Sequence, residues 1–315
     1  MAEQHPTYIF WNNELTPWED ATVHVTSIAW SALGAVFEGI RGYWNAEQEQ
    51  LHVFRITEHL DRLQSSTKLV RLPLAYTTAE LTDVIVRLLR ENVCREDTYV
   101  FPLVYGADAE VNRFDPNALA SELTIRTKPM PSRLGSDFQQ HARVSTWTRI
   151  SDNVMPPRIK NISNYRNGQL ATHEVRNDGY DVAFMLNPYG KISEAPGACI
   201  AHLAKGKLIT PDVTSGILES ITREAVITLA REELGLEVVE RAVDRTELYL
   251  ADEVFTCGTA AEITPIVSVD KYPVGAGRIG PVTRQIQQSL EDIMRGRNSQ
   301  YARWVTTIDM ALTTA

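Results

Sequence analysis

Lysine is scarce in this chain, seven residues against 24 arginines, so each lysine is worth testing for chemistry that arginine cannot perform. An imine forms when a neutral amine attacks an aldehyde carbon. A lysine of depressed pKa can supply that amine, whereas a guanidinium stays protonated. Lys191, Lys205, Lys207 and Lys271 stand beside glycines or in turn-like stretches and read as solvated charges. Lys160 sits instead in RIKNISNYRNGQLA, just before an apolar helical run. By composition alone it is still more simply a surface charge. Further on, Ser220, Ile221 and Thr222 gather hydroxyls and backbone N–H groups at the start of a predicted helix. Such a terminus favours an anion, and the same residues serve equally as plain N-caps. Glu194 alone reads as a carboxylate at a strand end. GAGRIG (Gly275 to Gly280) fits GxGxxG, but a dinucleotide site needs it in a first strand-turn-helix unit, with an acidic residue about 20 positions later on a strand. Glu291 falls inside the predicted last helix, so these glycines read as turn-formers.

The elements that must position these residues begin with short apolar runs, Tyr8 to Trp11 and Leu51 to Phe54, which read as strands. Thr57 is expected to cap a helix carrying Leu60, Leu63, Leu69 and Leu72, and Thr77 or Thr78 a second carrying Leu81, Val84, Ile85, Leu88 and Leu89. Strands follow at Tyr99 to Tyr105 and Leu123 to Arg126. The polar, Pro-containing stretch from Lys128 to Asp137 then interrupts the pattern. A chain of 315 residues exceeds the roughly 100 to 200 usual for one domain. Two domains are therefore expected: 1–130 as a small α/β domain, 131–137 as linker and 138–315 as a larger domain. The larger part should hold a strand at Ala142 to Thr148, a helix from about Ile162, and short strands at Val182 to Leu186, Ile192, Cys199 to Leu203 and Lys207 to Thr210, a spacing that suggests a barrel-like sheet. Helices at Thr222 to Leu234 and Pro281 to Met294, with strands at Val254 to Cys257 and Ile263 to Val267 between them, complete it.

In chain order, VFEGIRGY (Val36 to Tyr43), EHLDRL (Glu58 to Leu63), KNISNY (Lys160 to Tyr165), GKISEAPGACI (Gly190 to Ile200), GILESITREA (Gly216 to Ala225) and LADEVFTCGTAAEITPI (Leu250 to Ile266) resemble the motif series of the branched-chain aminotransferases. The resemblance covers nearly the whole chain. It implies an α/β (α+β type) enzyme of fold type IV, with a small α/β sandwich and a larger pseudo-barrel domain. It also implies pyridoxal 5'-phosphate as cofactor, a homodimer or higher homo-oligomer, and ping-pong transfer of an amino group between Leu, Ile or Val and a 2-keto acid such as 2-oxoglutarate.

By that resemblance, Lys160 bonds the cofactor's aldehyde carbon and shuttles the proton between the substrate α-carbon and the cofactor C4'. Glu194 pairs with the pyridine nitrogen, where an anion keeps the ring protonated and able to accept carbanion charge. Tyr165 hydrogen-bonds the ring oxygen. Arg62, Leu218, Ser220, Ile221, Thr222 and Thr259 bind the cofactor, chiefly at its phosphate. Phe37, Arg41, Tyr99, Thr259 and Ala260 line the substrate position. Two departures stand out. Phe101 occupies the place of an arginine that helps hold the distal carboxylate of glutamate or 2-oxoglutarate, and a phenyl ring cannot pair with that group. Ala32 replaces a pocket aromatic. Arg113 and Arg133 are candidate substitutes for the missing cation, although each also reads as a solvent-facing loop residue. The departures leave an (R)-selective amine transaminase as an alternative, alongside a lyase of the aminodeoxychorismate kind and a non-catalytic protein retaining the fold.

The bulk numbers bound these readings. With 43% hydrophobic and 23% charged residues the chain can bury a large core, and its net charge of -9 disfavours non-specific nucleic-acid binding. Cys94, Cys199 and Cys257 form no CxxC pair or disulfide ladder, which fits a reducing cytoplasm. The N-terminal MAEQHPTYIFWNNEL does not look like a signal peptide and no apolar run approaches a membrane span, so a soluble, unprocessed protein is expected.

Overall fold

The computed structural model describes residues 5–107, 115, 117 and 119–310. They divide into two units, the first comprising residues to Ser132, Ile159–Ser163 and Asp292 onward, the second Arg133–Arg158 and Asn164–Glu291.

In the first unit, β1 (Tyr8–Trp11) and β2 (Glu14–Pro17) form a hairpin. Its two-residue turn, Asn12 and Asn13, holds φ at 41° and 75°, the left-handed region that asparagine tolerates better than most residues. The single turn α1 (Ile28–Ser31) leads to β3 (Val36–Phe37), β4 (Ile40–Asn45) and β5 (Gln50–Phe54). Two helices follow, α2 (Ile56–Val70) and α3 (Thr78–Glu91), then β6 (Thr98–Gly106) and β7 (Ser121–Pro129). The sheet runs from the C-terminal strand Val305–Asp309 through β5, β4, β6, β7 and β1 to β2, with β3 also on β6.

Alternation along β6 decides which face does what. Val100 and Val104 point into a core with Leu60 and Leu63 of α2 and Leu81, Ile85 and Leu88 of α3. Tyr99, Phe101 and Leu103 are only half-buried on the opposite face. Thr77 caps α3 in a reciprocal box with Glu80, as its sequence suggests. The start of α2 differs from expectation. Arg55, in the left-handed region at φ 49°, precedes the helix, and Thr57 lies inside its first turn.

The segment around Lys160 also departs from the expected division, which placed it in a domain of residues 138–315. Phe37 N–H donates to Lys160 O at 3.0 Å, Ile162 N–H donates to Ala35 O at 2.9 Å, and Val36 bridges Asn161. Ile159 packs into the first unit's core. The short strand β3 captures these five residues through pairing so distant in sequence that no local pattern announces it.

In the second unit, β8 (Gln140–Thr148), α4 (Asn164–Asn177), β9 (Val182–Leu186), β10 (Cys199–Ala204) and β11 (Lys207–Thr210) are followed by α5 (Ile221–Glu232) and β12 (Glu237–Glu240). Then come α6 (Arg245–Tyr249), β13 (Glu253–Gly258), β14 (Glu262–Val269), β15 (Tyr272–Pro273) and α7 (Pro281–Met294), whose last residues belong to the first unit. The strand order is β12-β11-β10-β13-β14-β8-β9, with β15 on β14. Ile192 contributes only an isolated bridge to Leu186. Residues Val144, Phe184, Ile200, Val254 and Ile266 fill the core.

The glycines of GAGRIG are turn-formers, with φ of 50° at Gly275 and 66° at Gly277. The helix end they precede is already occupied. Glu253 accepts from Val282 N–H at 3.0 Å, Thr283 N–H at 2.7 Å and the Thr283 hydroxyl at 2.6 Å, so a phosphate there would meet a carboxylate.

Gly168 matters in a different way, because it lets α4 approach the segment that carries Glu194. A Cβ at that position would lie 2.9 Å from Pro196 Cβ. Overpacking costs about 1–3 kcal/mol, against about 1 kcal/mol gained in helix propensity. Gly168→Ala should therefore lower the thermal melting temperature, and a melt at higher temperature would contradict this packing.

Candidate active site

Glu38 organises the first unit's part of the site. Its side chain is fully buried; Arg62 donates to it from Nε at 2.7 Å and from Nη2 at 2.9 Å, and His59 Nδ1 lies 2.8 Å away. Burial alone would raise the carboxyl's pKa. The Arg62 guanidinium and the His59 hydrogen bond outweigh it and hold Glu38 well below the usual carboxylate range. Burial, assisted by the Arg62 and Lys160 charges, lowers His59 despite its carboxylate neighbour, which favours a neutral ring donating from Nδ1. These contacts aim Arg62 from the second turn of α2.

Lys160 is half-buried, its backbone N–H directed to Ser66 Oγ at 3.4 Å and its Nζ 4.7 Å from the centroid of the Phe37 ring. Phe37 opens an aromatic row, with centroids 5.0 Å to Phe101 and a further 6.5 Å to Tyr99. Gly39 makes room for this row, since a Cβ there would lie 2.0 Å from the Tyr99 hydroxyl oxygen. Arg41 is nearly fully buried, donating to Met130 O at 2.6 Å with its guanidinium 5.1 Å from the Tyr43 ring. The first unit thus gathers Lys160, Phe37, Arg41, Arg62 and Tyr99. Glu38 and His59 are additions that the sequence reading missed, although Glu38 lies in VFEGIRGY and His59 in EHLDRL.

Glu194 anchors the second unit's part, at 4% exposure. Arg149 holds Oε1 from Nε at 2.9 Å and Nη2 at 2.7 Å, and Leu218 N–H donates to Oε2 at 3.0 Å. Two residues beyond Leu218, Ser220 caps α5 by accepting from Arg223 N–H at 3.2 Å. The N–H groups of Ile221 and Thr222 have no acceptor among the described residues, as the geometry of a helix start dictates. Arg223 pins the same turn to Thr210 Oγ1 at 3.0 Å, Pro211 O at 2.8 Å and Glu240 at 2.9 Å. One backbone stretch therefore fixes a carboxylate and a helix terminus with open N–H groups together, a terminus of the kind that favours an anion.

Tyr165, in the first turn of α4, has its ring edge 3.8 Å from where a Cβ on Gly197 would stand. A Cβ on Gly258 would stand 3.1 Å from Gly197 O, so the β13–β14 turn holding Thr259 and Ala260 begins against the Glu194 loop. Thr259 is half-buried and Ala260 exposed there. Arg133 lies in this unit with its guanidinium 4.4 Å over the Phe138 ring, and Arg113 lies outside the described residues. Arg149 was not singled out from sequence, because it meets Glu194 across 45 residues without a local motif. Cys199 and Cys257 face one another on β10 and β13. Burial pushes the Cys257 thiol up to about 12 and Cys199 well above its ordinary value, which suits inert packing rather than nucleophilic chemistry.

Within the second unit, a buried carboxylate clamped by arginine beside an open helix terminus suits a ligand with a basic ring nitrogen and a phosphate, and within the first unit Lys160 offers an amine of the kind that bonds an aldehyde. Residues 35–269 match the family model for amino-transferase class IV, and the chain belongs to that family. A probable branched-chain-amino-acid aminotransferase of Aquifex aeolicus (strain VF5) is 38% identical over 303 residues, covering 96% of each chain. The branched-chain-amino-acid aminotransferase of Escherichia coli (strain K12) is 38% identical over 312 residues, 98% of this chain and 100% of that protein. The crystal structure of the branched-chain amino acid aminotransferase from Thermobaculum terrenum in its PLP-form (holo-form) is 49% identical, with a TM-score of 0.94 over 97% of this chain and 99% of that one.

The Glu38 network carries a pH signature. Removing one partner of a buried ion pair costs about 3–5 kcal/mol. Because Glu38 titrates below the ordinary 4.5, its stabilisation is complete above that value and is lost as pH falls through the lower folded one. Chemical denaturation should find Glu38→Gln less stable than wild type by that amount at neutral pH, with the gap closing in acid. A gap independent of pH would contradict the charged pair.

Proposed function

We propose that this chain is a branched-chain-amino-acid transaminase dependent on pyridoxal 5'-phosphate, taking amino groups from leucine, isoleucine or valine and passing them to a 2-keto acid. The observation that carries the reading is the second unit's pairing of Glu194 with the α5 terminus through Leu218, which matches the ring nitrogen and phosphate of that cofactor. When bound, the cofactor supplies an electron sink for the bonds at the substrate α-carbon. The remaining work falls to the protein. Lys160 would hold the cofactor at its aldehyde carbon and, as a free amine, would carry the proton between the substrate α-carbon and C4'. Glu194, oriented by Arg149, keeps a proton on the ring nitrogen, and Tyr165 hydrogen-bonds the ring oxygen. Ser220, Ile221, Thr222, Thr259 and Arg62 hold the phosphate, while Phe37, Arg41, Tyr99 and Ala260 receive the substrate.

The reading extends to a homodimer in a reducing cytosol. No helix among the described residues is long and apolar enough to cross a membrane, and the three cysteines are free. A monomer mass in sedimentation would remove the dimer.

Spectra of the reconstituted protein test the reaction. Leucine should shift the visible absorbance to that of the amine form and a 2-keto acid should restore it. (R)-1-phenylethylamine and D-alanine should do so at least tenfold more slowly, and the reverse order would overturn the branched-chain reading in favour of an amine transaminase. Lys160→Ala should abolish turnover. Glu194→Gln should slow it by about two orders of magnitude, the scale on which a positioned charge acts on a transition state.

A further inference from the structure

The site face of the first unit carries two cations that the reading above leaves without work. In the β6–β7 register Phe101 stands opposite Arg126 and Tyr99 opposite Lys128, so all four side chains project from one face of the sheet. This is the half-buried face of β6, the one that also bears Phe37 of β3, which pairs with Leu103 of β6. The Arg126 guanidinium lies 5.0 Å from the centroid of the Phe101 ring, and the Lys128 ammonium 5.6 Å from that of Tyr99. Both cations are exposed, and neither meets a carboxylate within ion-pair distance among the described residues. Glu122, on the same face of β7, is engaged by Tyr105 at 2.5 Å and Trp11 at 3.2 Å. Four residues of strand, about 13 Å, separate it from Arg126.

The Phe37–Phe101–Tyr99 row therefore begins under the Lys160 amine, and its second and third rings each carry a cation that meets no carboxylate among the described residues. An aromatic platform sheds part of a guanidinium's hydration and leaves its N–H fork open to a planar anion. We propose that Arg126, with Lys128 beside it, receives the distal carboxylate of a dicarboxylic donor or acceptor, the role an arginine at position 101 would fill. The proposal rests on the transaminase reading and assigns its dicarboxylate specificity to the strand next to Phe101. The aromatic row serves both substrate kinds, because it offers apolar contact to a branched side chain when no second carboxylate is present.

The test compares the binding of glutarate and 4-methylpentanoate to the holoenzyme by calorimetry, since neither ligand can react. Arg126→Met should reduce the ratio of glutarate to 4-methylpentanoate affinity by about ten- to a hundredfold, the range of one charged hydrogen-bonded contact. Arg126→Lys should retain more of that ratio, and Lys128→Met should reduce it less than Arg126→Met. In turnover the loss should appear mainly in KM for 2-oxoglutarate. An unchanged ratio in Arg126→Met, or an equal loss for both ligands, would overturn the assignment. The transaminase reading fails separately, if leucine leaves the spectrum of the wild-type holoenzyme unchanged.

Discussion

Burying a carboxylate is costly unless every oxygen finds a partner, and Glu194 meets that condition through Arg149 and the Leu218 N–H. The constraint orders much of the second unit. Arg149 leaves the end of β8 and Glu194 sits between β9 and β10, so the core of that sheet sets their separation. Leu218 accepts its place in the clamp two residues before Ser220 caps α5. Moving the carboxylate would move the helix start with it. Gly168 and Gly258 then bring α4 and the Thr259 turn against the loop that follows Glu194, where a side chain at either position would hold them off.

The first unit repeats the device with different chemistry. Glu38, between β3 and β4, braces Arg62 and His59 from successive turns of α2, while β3 captures the Lys160 segment by backbone pairing. Lysine is a flexible residue, and its reach is useful only when its backbone is fixed. The contacts of Asn161, Ile162 and Ile159 supply that fixity. Arg62 gains direction in the same way, from a buried anion that a solvated helix charge would lack.

Much of this was legible in sequence where the determinants are local. The capping box at Thr77 and Glu80, the apolar stripe of α3, the proline that opens α7 and the Ser220 start of α5 each depend on neighbours within a turn or two. The strand at Val182 to Leu186 was bounded by turn residues and emerged as expected. What escaped depends on distant pairing. The Lys160 segment joins the first unit through β3, and the strand Val305–Asp309 exists because β5 offers it an edge. The Thr57 cap failed because Arg55 adopts a left-handed conformation that sequence does not advertise. Arg149, Glu38 and Arg126 share one history. Each is an ordinary charge in its own segment and acquires meaning from the residue that register or packing sets against it.

All the proposed roles converge on the Lys160 amine, since the proposed reaction runs only if that nitrogen is joined to the cofactor's aldehyde carbon. Borohydride reduction of the reconstituted protein, followed by peptide mapping, tests this directly. The account requires one pyridoxyl group per chain on the peptide containing Lys160. Label on another lysine, or none at all, would contradict it.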